Sequence, residues 1–249
     1  MLQPAAEFFR ELRASTGLNF TIFYDPFDAR RFWQAFLTTC QLAALSVVLS
    51  LVIGVAGAFA QGSRFAPLRW FVAGYVAFFR NTPPLVQMYF FFFALGAITP
   101  TVPDDIGMEV PLVSNFVWAL VALSLFAGAF NVEIFRSGIE AVPRSTVEAA
   151  ESLGYTRLGT YREVVLPLAF RVCLPSLNNN LVNLIKTTTL AYAIGVPEML
   201  YVANQIWSDS LNVTEMMNVL LLLYIGLVSL LVWLMHRWER AMRMPGYGT

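Results

Sequence analysis

Long apolar stretches alternate along this chain with short polar ones. Three of the stretches carry no charged residue, and each is close in length to the roughly 20 residues that a helix needs to cross a bilayer. They are residues 42–60, 110–132 and 216–235. Two more are interrupted, 70–98 by Arg80 and a double proline and 172–197 by Lys186. The pattern predicts an all-α integral membrane protein with about five transmembrane helices.

Composition narrows the class of protein. Hydrophobic residues make up 57% of the chain and charged residues 13%, whereas soluble domains carry about 25% charged residues. This excludes a soluble enzyme. The 16 basic and 16 acidic residues cancel, which argues against a nucleic-acid partner. Cys40 and Cys173 match no metal-ligand spacing, so we expect neither a bound metal nor a disulfide framework.

The distribution of arginine predicts the orientation of the helices. Five arginines lie between the third and fourth stretches, and Arg237, Arg240 and Arg243 follow the last one. Segments 99–109 and 198–215 carry acidic residues and no basic ones. Because basic loops stay in the cytoplasm, the C-terminus is expected inside and the N-terminus outside. Four arginines in the N-terminal tail run mildly against this rule.

These features divide the chain into three parts. Residues 1–33 form a tail or an interfacial helix, and residues 34–240 form the transmembrane domain. A cytoplasmic loop interrupts that domain at about residues 140–167. Residues 241–249 form a cytoplasmic tail.

The loop contains the signals of a short helix. Ser145 and Glu148 have the spacing of a capping box, and Gly154 stands where a left-handed residue ends a helix. Ala149 and Ala150 would give the helix a small-residue face. A second helix starts at Thr156, or at Thr160 with Glu163, before Pro167 leads back into the membrane. From the residues alone, the short helix is either a docking element or an amphipathic helix resting on lipid headgroups.

Polar residues form a stripe in the fourth stretch. Asn179, Asn183, Lys186 and Thr187 are spaced to share one helical face. A charge at the bilayer centre costs about 2.5–3.5 kcal/mol, so this face must meet protein or water. It either lines the path of a polar solute, with Lys186 attracting a carboxylate, or forms a packing network.

Glu133 and Arg136 lie one helical turn apart at the end of the third stretch. A local ion pair is the preferred interpretation. Alternatively, Glu133 pairs with Lys186 or binds the amine of a substrate. Arg80 and the prolines after it predict a break in the second stretch.

Several motifs then resemble one family. Glu148-Ala149-Ala150, Gly154, Val164 and Leu166-Pro167 match the EAA signature of permeases of binding-protein-dependent ABC importers. Three further segments resemble the polar amino acid group of these permeases, which includes the histidine and glutamine permeases; they are Arg80-Asn81-Thr82-Pro83 with Leu85-Val86-Gln87, Glu133 to Arg136 with Gly138-Ile139, and Leu174-Pro175 through Lys186 to Leu190.

The resemblance implies a type I ABC importer permease fold in a prokaryotic inner membrane. It implies four partners: an ATPase dimer, a second permease copy or paralogue, an extracytoplasmic solute-binding protein and a polar amino acid substrate. The residues expected to dock the ATPase are Ser145, Glu148, Ala149, Ala150 and Gly154. Those expected along the substrate pathway are Asn179, Asn183, Lys186, Thr187 and Glu133.

The chain is expected to be a non-catalytic subunit. Lys186 is its only lysine, and Asn180 and Ile185 stand where a phosphate-binding loop needs glycine. ATP and Mg²⁺ therefore belong to a partner, and this chain binds no cofactor.

The sequence argues against two alternative functions. An ion-coupled secondary transporter could use Glu133 and Lys186 as a proton relay, but the docking-type loop and the missing inverted repeat argue against it. An intramembrane enzyme lacks a nucleophile paired with a base.

Overall fold

The computed structural model describes residues 3–241, and most of them are helical. Arg243 and nearly all of the predicted C-terminal tail lie outside the described residues. The α-helices are α1 (Gln3–Thr16), α2 (Pro26–Gln61), α3 (Ala66–Asn81), α4 (Pro84–Tyr89), α5 (Asn115–Glu140), α6 (Arg144–Ser152), α7 (Arg157–Thr160), α8 (Leu166–Thr187), α9 (Met199–Ser210) and α10 (Val213–Ala241). Short 3₁₀ helices span Thr21–Phe23, Gly96–Ile98 and Thr188–Ile194, and π-helical turns span Phe90–Leu95 and Tyr161–Val165.

Within residues 3–241, three helices are long and apolar enough to cross a membrane, namely α2, α5 and α10. They contain most of the three uninterrupted stretches, but their ends differ from the predicted ones. Helix α2 begins at Pro26, inside the predicted tail. The side chain of Asp25 explains this early start, because its Oδ1 accepts a hydrogen bond from the N–H of Phe27 at 2.9 Å.

A small hairpin qualifies the expectation of an all-α chain. Strands β1 (Thr101–Pro103) and β2 (Glu109–Pro111) pair antiparallel, with Val102 opposite Val110. Asp104 closes the turn by accepting hydrogen bonds from the N–H groups of Ile106 and Met108. Because β2 occupies residues 109–111, α5 starts only at Asn115 and not at residue 110 as predicted.

The predicted break near Arg80 is confirmed. Helix α3 ends at Asn81, and α4 begins at Pro84. The side-chain amide of Gln87 donates to the carbonyl oxygens of Phe79 at 3.0 Å and Thr82 at 3.1 Å. It thereby satisfies carbonyl groups that the missing helical turn leaves free.

In the fourth apolar stretch, the regular α-helix ends earlier than predicted. Helix α8 stops at Thr187, and a 3₁₀ segment continues to Ile194. Gly195 ends that segment with a φ of +75°, and the side-chain amide of Asn115 donates to the carbonyl of Ile194 at 2.8 Å. The following segment, expected to be a loop, contains helix α9.

The described chain forms two compact units. The first comprises residues up to 45 together with 88–121 and 185–229, and the second comprises 46–87, 122–184 and the chain from 230 onward. The core of the first unit is built from α2, α9 and α10, and includes Phe32, Met199, Ile206 and Met216. In the second unit, Leu174, Leu177, Leu181 and Met235 form one buried cluster.

Helices α5 and α8 approach each other closely at Gly138 in the second unit. A Cβ atom added to Gly138 would overlap Cys173 Sγ and lie 2.8 Å from the carbonyl oxygen of Ala169. Only a residue without a side chain permits this contact. Gly226 of α10, in contrast, has open space around it.

We therefore predict that Gly138→Val lowers the stability of the protein, whereas Gly226→Val serves as a matched control. Overpacking at a close contact costs about 1–3 kcal/mol, while both substitutions change helix propensity in the same direction and by a similar small amount. Thermal unfolding of the purified chain in detergent measures the difference. Equal melting temperatures for the two variants would contradict the close contact.

Candidate functional site

The predicted cytoplasmic loop contains the short helix α6, which has a defined boundary at each end. Pro143 precedes it with φ −59° and ψ 138°. Gly154 follows it with a φ of +89°. The N–H of Gly154 donates to the carbonyl of Glu151 at 3.0 Å, and the N–H of Tyr155 donates to that of Ala150 at 3.2 Å. These two bonds form a Schellman motif, which confirms Gly154 as the residue that ends the helix.

The predicted capping box at the start of α6 is wrong. The helix begins at Arg144, so Ser145 lies inside its first turn, and no side chain caps the N-terminus. Pro143 occupies the N-cap position and has no side-chain acceptor. Its carbonyl oxygen instead accepts a hydrogen bond from the N–H of Thr146 at 3.0 Å.

The second helix of the loop starts at the first of the two predicted positions. Thr156 is the N-cap of α7, and its Oγ1 accepts a hydrogen bond from the N–H of Gly159 at 3.1 Å. Thr160 is the last residue of α7 and is buried.

The docking candidates on α6 do not all point the same way. Glu148, Ala149 and Gly154 are exposed, whereas Ala150 is buried. Consecutive helical residues lie roughly 100° apart, so the two alanines do not share a face as predicted. Ala150 packs within this chain, and only Ala149 is available to a partner.

Two exposed leucines adjoin the turn at Gly154, and the sequence analysis missed both. The exposed fraction is 80% for Leu153 and 77% for Leu158. They flank Tyr155, which is also exposed. Exposed large apolar side chains beside a helix end are available for contact with another surface. The signal in the sequence was two isolated leucines in an otherwise polar loop.

Tyr161 lies where this loop meets the ends of two helices. Its ring lies 6.3 Å from the ring of Phe59 near the end of α2. Both residues border a cavity of about 420 Å³ that Arg136 and Glu140 of α5 also line. Burial raises the pKa of the Tyr161 phenol, so the hydroxyl stays protonated near neutral pH.

Glu133 and its arginine partners form a charged cluster. Arg136 Nη2 lies 2.8 Å from Glu133 Oε2, which is the expected local ion pair, and Arg136 Nη1 lies 2.7 Å from Glu140 Oε1. The Nη1 of Arg80 lies 3.8 Å from Glu133 Oε2, a contact that the sequence analysis did not foresee. A substrate amine at Glu133 would have to compete with these two guanidinium groups.

The polar stripe of α8 lies largely on the surface of the chain. Asn179, Asn183 and Lys186 are exposed, and Thr187 is partly buried. Within residues 3–241, no carboxylate lies within ion-pair distance of the Lys186 ammonium group.

A different set of polar residues forms a buried network in the second unit. The side-chain amide of Asn180 donates to Asn131 Oδ1 at 2.8 Å and to the carbonyl of Ala127 at 3.0 Å. Asn131 in turn donates to Ser50 Oγ at 3.2 Å. A buried polar network therefore exists on α8, and Asn180 belongs to it although it lies outside the predicted stripe. Three asparagines in a row, 178–180, point in three directions, and this was the available signal.

Glu198 is a fully buried carboxylate in the first unit that the sequence analysis placed in a loop. Its Oε1 accepts from the N–H of Tyr201 at 2.8 Å, and its Oε2 accepts from the N–H of Leu200 at 3.0 Å. The hydroxyl of Tyr224 donates to the same Oε2 at 3.2 Å. Glu198 thus caps α9 and ties it to α10. An acidic residue directly before an apolar run was the signal.

Residues 31–244 match the family described as the inner membrane component of binding-protein-dependent transport systems. The chain belongs to this family. The matched range contains α6, the polar face of α8 and the cluster around Glu133, but not α1.

Several known proteins resemble this permease. The L-cystine transport system permease protein TcyB of Bacillus subtilis is 36% identical over 70% of each chain. The probable amino-acid ABC transporter permease protein PatM of Vibrio harveyi is 34% identical over 78% of this chain and 83% of its own length. The histidine/lysine/arginine/ornithine permease protein HisQ of Salmonella typhimurium is 32% identical over 67% of this chain and 73% of its own length.

Solved structures share the fold of the permease. A crystal structure of an amino acid ABC transporter with histidines superposes with a TM-score of 0.74 and 27% identity, covering 86% of this chain and 94% of that one. The inward-facing MetNI methionine ABC transporter superposes with a TM-score of 0.62 at 21% identity, covering 87% of this chain and 96% of that one. The architecture is therefore that of an ABC importer permease.

We predict that Glu198→Leu destabilises the permease by about 3 kcal/mol, because it leaves two N–H groups and one hydroxyl buried without an acceptor. Glu198→Gln retains a carbonyl acceptor and should cost less. Exposed Glu109 provides the control, since Glu109→Leu removes a carboxylate from the surface hairpin. Thermal unfolding in detergent ranks the three variants. If the Glu198→Leu and Glu109→Leu variants have equal melting temperatures, the capping role is refuted.

Proposed function

We propose that this permease is the membrane subunit of an ATP-driven importer that carries a polar amino acid into the cell. The helix–turn unit formed by α6 and Gly154 is the observation that carries the proposal. The names of the relatives, which include cystine, histidine and other amino acid permeases, support the substrate class. The similarity to a solved amino acid ABC transporter supports the same assignment.

In this proposal, α6 transmits motion from a separate ATPase. Pro143 and Gly154 fix the two ends of a helix of nine residues, so a force applied to one end moves the whole element. Glu148 and Ala149 lie on its exposed side. The small side chain of Ala149 permits close approach, and Leu153 adds an apolar contact. Ala150 holds the helix against its own chain, while Ser145 in the first turn and Gly154 complete the docking element.

Leu158 extends this surface beyond the turn. Together with Leu153 it offers the apolar contact that fills a pocket at the centre of a typical interface. The partner binds ATP and Mg²⁺, since no segment of this chain has the pattern of a phosphate-binding loop.

The exposed face of α8 is proposed to line the substrate pathway. The Lys186 ammonium group attracts the carboxylate of an amino acid, and the amides of Asn179 and Asn183 and the hydroxyl of Thr187 offer hydrogen bonds. An ammonium group facing lipid is costly, so this face meets protein or water in the assembled transporter. A second permease copy or a paralogue provides such a partner. Glu133 remains a candidate for the substrate amine, in competition with Arg136 and Arg80.

The proposed topology has five spans, with α3 to α4 and α8 adding to α2, α5 and α10. The C-terminus and α6 face the cytoplasm, and the N-terminus faces outward, where a solute-binding protein delivers the substrate. The location is the inner membrane of a prokaryotic cell.

An ion-coupled carrier is the less favoured function. It requires Glu133 to exchange protons with Lys186, whereas both oxygens of Glu133 accept hydrogen bonds from Arg136. The family assignment also disfavours it.

We predict that Glu148→Arg or Leu153→Asp lowers uptake by about tenfold or more, because either change disturbs the centre of the proposed interface. The assay is uptake of a mixture of labelled amino acids by vesicles loaded with ATP and containing the complete transporter, together with ATP hydrolysis by the same preparation. Hydrolysis should continue or fall less than uptake.

Phe65 provides the matched control for this experiment. It is exposed at 65% in the turn between α2 and α3, so Phe65→Asp introduces the same charge on another loop. Full uptake by the Glu148 and Leu153 variants would refute docking at α6. Uptake that stops when a proton gradient is dissipated, with ATP present, would instead favour the carrier.

We also predict that Lys186→Met raises the KM for uptake by about tenfold or more, the effect of losing a hydrogen bond to a charged group. Lys186→Arg keeps the positive charge and should restore much of the affinity. Initial rates over a range of substrate concentrations in ATP-loaded vesicles separate KM from the maximal rate. An unchanged KM in both variants would show that Lys186 does not contact the substrate.

A further inference from the structure

An apolar cleft of about 650 Å³ lies in the first unit, beside the N-terminal helix. Its walls come from α1, from the short segment before α2, and from the first turns of α2 facing α10. The lining side chains are nearly all apolar, and they include Ile22, Phe32, Trp33, Phe36 and Leu222.

The cleft opens between two helices that are fit to cross a membrane. Both α2 and α10 have the length and hydropathy of transmembrane helices. Trp33 of α2 is 61% exposed, and Leu222 of α10 is 67% exposed. Side chains of this kind on such helices face lipid, and tryptophan favours the level of the headgroups. The cleft therefore opens toward the surface that these two helices present to the bilayer.

Two guanidinium groups contact Tyr24, one of the residues that line the cleft. The Nη1 of Arg13 donates to the hydroxyl of Tyr24 at 2.9 Å, and the Nη2 of Arg10 donates to the carbonyl of Tyr24 at 3.4 Å. Tyr24 itself lines the cleft. Within residues 3–241, no carboxylate lies within ion-pair distance of Arg10 or Arg13. Their positive charge is thus available to an anion.

Within residues 3–241, the acidic groups nearby form no ion pair with these two arginines. Asp25 lines the cleft, but its Oδ1 accepts the N–H of Phe27 at the start of α2. Glu7 and Glu11 of α1 are exposed and form no ion pair with either arginine. Within the described residues, neither guanidinium group is therefore held by an ion pair, and Asp25 is the one carboxylate that lines the cleft.

Helix α1 is fixed in place by aromatic packing. The ring of Phe9 stacks on that of Phe23 at 4.4 Å and lies 5.9 Å from that of Phe20. Helix α1 precedes the residues that match the family. It contributes Ala5 and Ala6 to the wall of the cleft.

We propose that this cleft binds an anionic phospholipid, with an acyl chain between α1, α2 and α10 and the phosphate group at Arg10 and Arg13. Guanidinium groups bind phosphate strongly, and arginines beside an apolar surface are typical of sites for anionic lipids. A zwitterionic choline lipid is disfavoured, since its ammonium group would lie against two arginines. The inference is independent of the transported substrate.

The test is native mass spectrometry of the full chain, purified with the chains it assembles with and exposed to equimolar dioleoyl-phosphatidylglycerol and dioleoyl-phosphatidylcholine. The wild type should retain the glycerol lipid with a preference of about fivefold or more for each arginine that contacts the headgroup. Arg10→Gln with Arg13→Gln should abolish the preference. Ala29→Trp, which fills the cleft and keeps both arginines, should abolish retention of the tightly bound lipid.

Two controls keep the result specific. Arg64→Gln with Arg240→Gln removes two exposed arginines elsewhere and should leave the preference unchanged. Thermal unfolding in detergent checks that each variant folds, and Ala29→Leu replaces Ala29→Trp if the larger side chain is not tolerated.

Three outcomes would overturn the proposal. The wild type could retain both lipids equally, or the double glutamine variant could keep the preference of the wild type. A photo-crosslinker at position 29 could also label a second copy or another chain rather than lipid, which would make the cleft a protein interface.

Discussion

The constraint behind most of this structure is that backbone polar groups in lipid must find partners inside the protein. Regular helices meet it along most of the chain, and polar side chains meet it where helices stop. Gln87 binds the carbonyl groups left free at the end of α3, Asn115 binds the last carbonyl of the 3₁₀ segment after α8, and Glu198 binds the first N–H groups of α9. These three polar side chains are therefore partners for the backbone of interrupted helices.

The segment around α6 obeys a different rule. In the proposed topology α6 lies outside the membrane, where water can satisfy its backbone. Two backbone boundaries, a proline before the helix and a left-handed glycine after it, define the element. This permits a short rigid helix whose exposed side chains are free for a partner. The exposure of Leu153 and Leu158 supports the proposed docking of this segment on a protein partner. In the proposed function, α6 contacts the energy source and the polar face of α8 contacts the cargo, which are the two tasks of an importer subunit.

Features that depend on local chemistry could be predicted from the sequence. The apolar spans follow from composition, the break after Arg80 follows from two prolines, and the end of α6 follows from Gly154. Features that depend on distant partners were missed. The hairpin at 101–111 arises from pairing between segments with little apolar periodicity, and it delays the start of α5. Glu198 looked like a loop acid because its partner Tyr224 is 26 positions away. The sequence could not show that Asn180 is buried while Asn179 is exposed, because that depends on how α8 packs.

The central claim is that α6 rests on an ATP-hydrolysing partner, and site-specific photo-crosslinking tests it most directly. A photoreactive amino acid replaces Ala149 in the full transporter, isolated from its own membrane, and mass spectrometry identifies the chain that it labels. We predict that a chain with a phosphate-binding loop is labelled, and that a photoreactive residue at Val48 of α2, 58% exposed, does not label it. Labelling of lipid alone from position 149, in a preparation that contains an ATPase, would contradict the claim.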